Sequence, residues 1–328
     1  MIISRTPYRV SFFGGGTDYP IWYRKYGGQV LSTSINQHIY ITCRNLPPFF
    51  DHRLRLSYSN IEECSSVDEI MHPSAREVLR FLGIRDGIEM HYDGDLPSQS
   101  GVGSSSAFTV GLLHAIHAYK GHTVSADDLA QEAIYIEQEI LREAVGSQDQ
   151  VSTAHGGLNK IQFMPSGEWA VTPIILKEER RTALENNLML IYTGVSRIAS
   201  EIASTYVNLL NERQQNLQQL SELVDEGIEL LVGNNNLDEF GRLLDRGWQE
   251  KRKLSENVSN YETDDIYDRA LSAGALGGKL LGAGGGGMML IYVPESKQSN
   301  LKQVLSELIV LPFKFEAHGS QVIYNSSL

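Results

Sequence analysis

The apolar pattern of the first hundred residues is that of strands separated by turns. Arg9–Phe13 (RVSFF) is β-branched and aromatic and stops at Gly14, Gly15 and Gly16, which predicts a strand ending in a glycine turn. QVLSTSI and HIYITCR predict two more strands, with Asn36 and Gln37 between them as a hairpin turn. RLRLSYS alternates with period two. The spacing then predicts a helix over 74–82, closed by Gly83, and a strand in GIEMHYDGDLP that leaves into a Gly/Ser-rich loop. SSSAFTVGLLHAIHAY is apolar at helical spacing, and its leading serines suit an N-terminal cap. Ser125 and Asp128 open a further helix in a capping-box pattern, continuing through AIYIEQEI.

The pattern shifts at KEERR, a solvated charge run over 177–181 that follows the strand-like AVTPIIL. LMLIYTG opens a second block as a strand. Helix is expected from about residue 197 to 232 and, after the break at Gly233–Asn236, from 237 to about 254. GALGGKLLGAGGGGMMLIYVP gives a glycine loop followed by a strand, then come a helix and a last strand pair. A boundary near residue 180 divides the chain into units 1–180 and 181–328. A length of 328 residues suits two such units. The apolar positions between Leu209 and Leu244 would serve a homo-oligomer contact, but are expected to face their own core.

Composition narrows the function. Lys plus Arg is 28 against 40 for Asp plus Glu, a net charge of −12. That argues against nucleic acid as a partner, because its binders present a broad basic footprint. A small anionic ligand needs only a local basic cluster. Cys43 and Cys64 are too few for a disulfide framework or a four-thiolate zinc site. With no apolar run of 18 residues and no signal-like N-terminus, a soluble cytoplasmic protein without a membrane partner is expected. His114 and His117 share a helix face without an evident third ligand and read as ordinary helix residues.

Three segments carry chemistry. LPSQSGVGSSSA, over 96–107, lies between a strand and an apolar helix. Glycines there let the backbone approach an anion, and N–H groups at a helix start point at phosphate oxygens. GAGGGG, over 282–287, has five glycines in six residues. A hairpin that needs positive φ explains one or two of them. Close packing on a ligand or another loop explains more. Neither segment is a Walker A loop, since Ala273 and Leu280 stand where Gly and Ser or Thr would be needed around Gly278-Lys279. In RVSFFGGGTDYP, Asp18 follows the glycine turn, where it would bond either a sugar hydroxyl or its own backbone. Finally, Glu137 lies on a predicted helix and Asp149 beyond a break at Gly146. One carboxylate to hold Mg²⁺ and one to orient a hydroxyl would serve phosphoryl transfer.

In this order, the segments resemble those of the GHMP small-molecule kinases, over Arg5 to about Val293. The resemblance implies a two-domain α+β fold. Its N-terminal half would be like ribosomal protein S5 domain 2, with a left-handed crossover, and its C-terminal half ferredoxin-like. It implies ATP and Mg²⁺, and a small-molecule sugar phosphate as acceptor. Ser100, Gly101, Gly103, Ser104, Ser105, Ser106, Gly284 and Gly285 would bind ATP, and Ser105 and Glu137 the metal. Asp149 would be catalytic with Arg9 beside it. Asp18, Gly15, Gly16, Thr17, Gly284 and Arg197 would hold the acceptor, with Lys251–Lys253 a second candidate for its phosphate.

Gly15 and Gly16 replace the Glu and His of galactokinase-type motifs, which argues against galactose. GGGTDY with YTGVSR and GALGGKLLGAGGGG is most similar to the branch that phosphorylates C1 of D-glycero-α-D-manno-heptose 7-phosphate, toward GDP-heptose. The fucokinase-type sugar 1-kinases are the alternative. An ATP- or sugar-binding sensor on the same fold is a third reading, against which the intact Asp149, Glu137 and Ser105 argue.

Overall fold

The computed structural model describes residues 1–195, 199–207 and 210–326. The expected first strand extends back to Ile2 (β1, Ile2–Phe13). A short helix follows its glycine turn (α1, Pro20–Tyr26), begun by Pro20 and closed by Gly27. β2 (Gly28–Asn45) is one strand of 18 residues, not the expected hairpin. Asn36 and Gln37 form a bulge in it: Pro7 pairs with His38, and Tyr8 with Ile35. The Asn36 N–H donates to the Lys314 carbonyl at 3.0 Å, and its side-chain oxygen accepts the Lys314 N–H at 2.7 Å. The polar pair is satisfied by a distant part of the chain, so no turn is required of it.

Next come β3 (Leu54–Ser57), β4 (Ile61–Cys64), α2 (Pro73–Phe81) and β5 (Ile88–Gly94). α3 (Ser104–Tyr119) follows the Gly/Ser loop and is buried through most of its length, from Ser106 to Leu113 without interruption. It packs on β1 and β2. α4 (Ala126–Ile134) is capped as expected, the Ser125 hydroxyl accepting the Asp128 N–H at 3.0 Å. The helix then widens into a π-helical turn, Tyr135–Ile140. α5 (Gln148–His155), β6 (Leu158–Phe163) and β7 (Trp169–Pro173) follow. The solvated KEERR run starts a helix: its exposed acidic residues open α6 (Glu178–Asn187), where they face the positive end of the helix dipole.

The remaining elements are β8 (Leu188–Tyr192), α7 (Ala199–Val207), α8 (Gln214–Val232), α9 (Asp238–Arg252), α10 (Tyr261–Ser272), β9 (Gly277–Leu280), β10 (Met288–Tyr292), α11 (Glu295–Val304), β11 (Ile309–Leu311), β12 (Phe315–Glu316) and β13 (Gln321–Asn325). Four of these strands form a sheet in the order β11-β8-β10-β9, antiparallel throughout. With helices after β8 and β10, this is the ferredoxin-like β-α-β-β-α-β arrangement. The other nine form a sheet around the path β13-β1-β2-β5-β3-β4, in which only β3 and β5 pair in parallel. β12 and β13 therefore return to the sheet that began the chain.

The two layers meet on β1. Phe240 of α9 packs edge-on against Phe12 and Phe13, with ring centres 5.3 and 5.2 Å apart. The apolar residues of α8 and α9 that were candidates for a contact between copies are buried inside the fold, Leu217, Leu223, Leu243 and Leu244 among them. The seam fixes the end of β1, the strand that carries Arg9. No described helix is long and apolar enough to cross a membrane.

Candidate active site

A cleft of about 650 Å³ runs between the Gly/Ser loop, the glycine turn after β1, the start of α5 and the GAGGGG loop. Its chemistry starts at α3. The sequence suggests a serine cap, but the N-cap is Gly103 in a left-handed conformation (φ 76°, ψ 27°), and no side chain caps the helix. The first N–H groups of α3 are thus left for an outside anion. Ser104, Ser105 and Ser106 differ in direction by their positions on the helix. Ser104 accepts the Gln99 N–H at 3.2 Å, Ser105 is exposed at the cleft, and Ser106 turns inward. Ser100 is buried, and its carbonyl accepts the Met288 N–H at 2.8 Å.

The GAGGGG loop backs this loop directly. A Cβ on Gly282 would lie 2.7 Å from the Gly101 Cα, and one on Gly287 would lie 2.5 Å from the Ser100 carbonyl oxygen. Four of its five glycines have positive φ, more than the one or two that a hairpin would explain. Both demands, backbone conformation and close approach, exclude side chains there. Gly284, however, packs on Val258, the Gly285 N–H donates to the Val258 carbonyl at 3.0 Å, and neither lines the cleft; Gly282 and Ala283 do.

Arg9 and Asp149 meet as a fork. Nε and Nη2 of Arg9 each donate to one carboxylate oxygen of Asp149 at 2.7 Å, while Nη1 donates to the Gly101 carbonyl at 2.7 Å. Arg9 is 2% exposed and the Asp149 side chain 25%. One guanidinium therefore ties the carboxylate at the start of α5 to the phosphate-type loop, a geometry only a planar multi-donor side chain provides. A Cβ on Gly103 would lie 3.5 Å from Oδ2 of Asp149.

Asp18 lines the same cleft and accepts the Gly16 N–H at 2.9 Å and the Gln148 N–H at 3.4 Å. Its local backbone bond and its place in the cleft coexist. Burial pushes its carboxyl above the ordinary range, with Asp149 adding in the same direction. A Cβ on Gly146 would lie 1.9 Å from Oδ2 of Asp18. Gly146→Ala is expected to cost about 1–3 kcal/mol by overpacking, read from the denaturant midpoint; an unchanged midpoint would mean Asp18 has room to move. Thr17 does not reach the cleft. It is fully buried, and its hydroxyl bonds the Gly14 and Gln29 carbonyls, holding the turn. Gly15 and Gly16 do line the cleft. Arg197 lies outside the described residues.

Glu137, in the π-helical turn, is fully buried behind Ser106. Its Oε2 accepts from the Ser106 hydroxyl at 2.9 Å and the Gln150 amide at 2.5 Å; the Thr109 hydroxyl also stands beside the carboxylate, and among the described residues no hydrogen bond meets Oε1. The serine that reaches it is Ser106, not Ser105. Burial pushes its carboxyl up to about 7, with Glu143 adding to the shift. A carboxylate oxygen without a described hydrogen bond, beside the Ser106 hydroxyl, offers the hard oxygens that suit Mg²⁺. Among the described residues no three His, Cys, Asp or Glu side chains converge, so such an ion would need phosphate oxygens or water to complete its shell. His114 and His117 instead bond Ser320 and Glu132.

Two features are not legible in the sequence as the fold presents them. One is an aromatic wall: His72 stacks on Phe108 at 4.6 Å, with Tyr58 and Tyr92 edge-on at 5.1 and 5.5 Å. Burial lowers the pKa of His72, favouring the neutral ring. The other is a pair of buried lysines, Lys251 and Lys279. Of the Lys251–Lys253 cluster only Lys251 enters the cleft; Arg252 pairs with Asp264 and Lys253 with Glu250.

Comparison with known proteins follows the same residues. The family model for the GHMP kinases N terminal domain matches residues 70–157, and that for GHMP kinases C terminal matches 228–310. A D-glycero-alpha-D-manno-heptose 7-phosphate kinase of Campylobacter jejuni is 30% identical, with 97% of both chains covered. A bifunctional fucokinase/GDP-fucose pyrophosphorylase of Arabidopsis thaliana is 25% identical over 92% of this chain but 31% of its own. Among solved structures, a D-glycero-D-manno-heptose 1-phosphate kinase from Bacteroides thetaiotaomicron superposes with a TM-score of 0.81 at 22% identity, over 99% of this chain and 100% of that one.

Proposed function

The chain belongs to the GHMP kinases and is an ATP-dependent phosphotransferase; from that premise we propose that its acceptor is the C1 hydroxyl of a heptose 7-phosphate. The observation that carries this reading is the Arg9–Asp149 fork beside both Gly103 and the buried Asp18. Nucleotide phosphates lie on the open N–H groups of α3 and the serines at its start. The nucleobase lies against the wall of Tyr58, His72, Tyr92 and Phe108, where ring stacking suits a planar base. Mg²⁺, when bound, would neutralise phosphate charge, and Glu137 with Ser105 or Ser106 would hold it. Asp149 receives or orients the proton of the attacking hydroxyl, and the two hydrogen bonds from Arg9 keep that carboxylate aimed. Asp18 accepts from acceptor hydroxyls.

The glycine turn supports a large acceptor. A Cβ on Gly15 would meet nothing nearer than Gln148 Nε2 at 3.7 Å and Ser11 Oγ at 3.8 Å. That leaves the space a longer side chain would take to a longer sugar. The test is turnover of a panel by the purified protein with Mg·ATP, with the position of the new phosphate read by phosphorus NMR. Heptose 7-phosphate is expected to be the best acceptor, gaining phosphate at C1. Faster turnover of unphosphorylated L-fucose would move the reading to the fucokinase type.

A further inference from the structure

Lys251 of α9 and Lys279 of β9 both line the cleft, and both are only 6% exposed. Lys251 donates through Nζ to the carbonyls of Leu280, at 3.5 Å, and Gly282; Lys279 donates to the Phe12 carbonyl at 2.9 Å. These partners are neutral, and among the described residues neither ammonium pairs with a carboxylate. An ammonium has three donors, so each has hydrogen-bonding capacity left. The charged groups facing Lys251 are Arg9, Asp18 and Asp149, and those facing Lys279 are Lys251, Arg9 and Asp18. Arg9 is committed to Asp149. Burial lowers Lys251 to about 8 and Lys279 well below its ordinary range. A buried charge without a partner is costly, so this pair in an otherwise acidic chain is a site prepared for an anion.

Its position says which anion. The Gly282 carbonyl that takes Lys251 belongs to the residue packed on Gly101 of the phosphate loop. Phe12, which takes Lys279, lies on β1 three residues beyond Arg9. The lysines therefore line the cleft beside the phosphate loop, with Asp18 facing both and Asp149 facing Lys251. Resting on the phosphotransferase reading, we propose that Lys251 and Lys279 bind the γ-phosphoryl group as it passes from nucleotide to acceptor. The bond from phosphorus to the acceptor oxygen forms and the bond to the bridging oxygen breaks. ADP leaves with that electron pair, and the hydroxyl proton passes to Asp149. The lysines keep their protons and offset the charge on the phosphoryl oxygens.

The test is calorimetric titration of AMP, ADP and ATPγS with Mg²⁺, without acceptor, into the native protein and the variants Lys251→Met and Lys279→Met. ATPγS is expected to bind the native protein more tightly than ADP. Each variant is expected to lose roughly ten- to hundredfold in ATPγS affinity, with AMP and ADP within about twofold. Replacing a buried charge by an apolar chain of similar size is often neutral for stability, and melting curves check it. A measurement on the native protein needs no variant: at pH 8, ATPγS should take up protons on binding and ADP should not, because the added anion raises Lys251. That is read from titrations in buffers of different ionisation enthalpy. Equal proton uptake for the two nucleotides, or an unchanged ratio of their affinities in both variants, would overturn the proposal. So would variants that raise KM only for a phosphorylated acceptor, which would make the acceptor's own phosphate the ligand. A failed heptose assignment leaves the nucleotide series intact; a native protein that bound no nucleotide would overturn both.

Discussion

Asp149→Asn is expected to lower kcat by about 10²–10⁴-fold with both substrates saturating, the range in which a general base contributes. The substitution keeps the size of the side chain but removes its charge. It also turns one oxygen into an amide that meets an Arg9 donor, where two acceptors now stand at 2.7 Å. Two consequences follow and can be separated. The chemical one appears in kcat. The structural one appears in stability, because Arg9 is buried and loses the anion that offsets it. Breaking a fully buried pair costs about 3–5 kcal/mol; Asp149 is a quarter exposed, so a smaller loss is expected. Urea titration measures it apart from turnover. A folded Asp149→Asn variant turning over within about threefold of the native rate, well short of a general base's contribution, would end the assignment of Asp149 to the chemistry.

The sequence disclosed this pair unevenly, and the reason is physical. Gly101 to Ala107 is legible because glycine and serine chemistry between a strand and an apolar helix is a local signal. The helix phase was not. Every residue from Ser106 to Ile116 except His114 is buried, so this part of α3 has no polar face from which to read that Ser106 would turn toward Glu137. The sequence divides β2 in two because Asn36-Gln37 has the composition of a turn, and the segment that satisfies it lies near Lys314. The aromatic wall draws on four separate parts of the chain, around β3, α2, β5 and α3. It exists only once the first sheet has formed. Lys279 was visible only as a failed Walker lysine, and Lys251 as one of three adjacent basic residues. Burial separates Lys251 from its neighbours, and burial of a lysine cannot be read from a run of like charge.

Glu137→Gln is expected to move stability and activity in opposite directions. The carboxyl of Glu137 stands at about 7 in the fold against an ordinary 4.5, chiefly from burial. A carboxyl raised by folding contributes stability that is full below about 4.5 and is lost as pH rises through about 7. At 1.36 kcal/mol per unit, the native protein should lose on the order of 3 kcal/mol across that window on this account alone. The glutamine does not ionise. Its oxygen can still accept from Ser106 and Gln150, as Oε2 of Glu137 now does, so the variant should not share the loss. Without nucleotide or metal, its melting temperature should exceed the native one at pH 8, and the difference should shrink toward pH 5. Activity should fall, because Oε1, which no described residue hydrogen-bonds, is the oxygen that would meet Mg²⁺. Loss of an outer-shell partner alone typically costs about 10–100-fold in metal affinity, and a direct ligand should cost no less. The Mg²⁺ concentration for half-maximal rate should rise accordingly. A variant less stable than the native protein at pH 8 would mean that Glu137 is already neutral there or compensated. An unmoved Mg²⁺ curve would remove the residue from the metal site, whatever its effect on stability. The expected pair of results would identify the buried carboxylate as a group kept at a cost to the empty fold for the ion it receives.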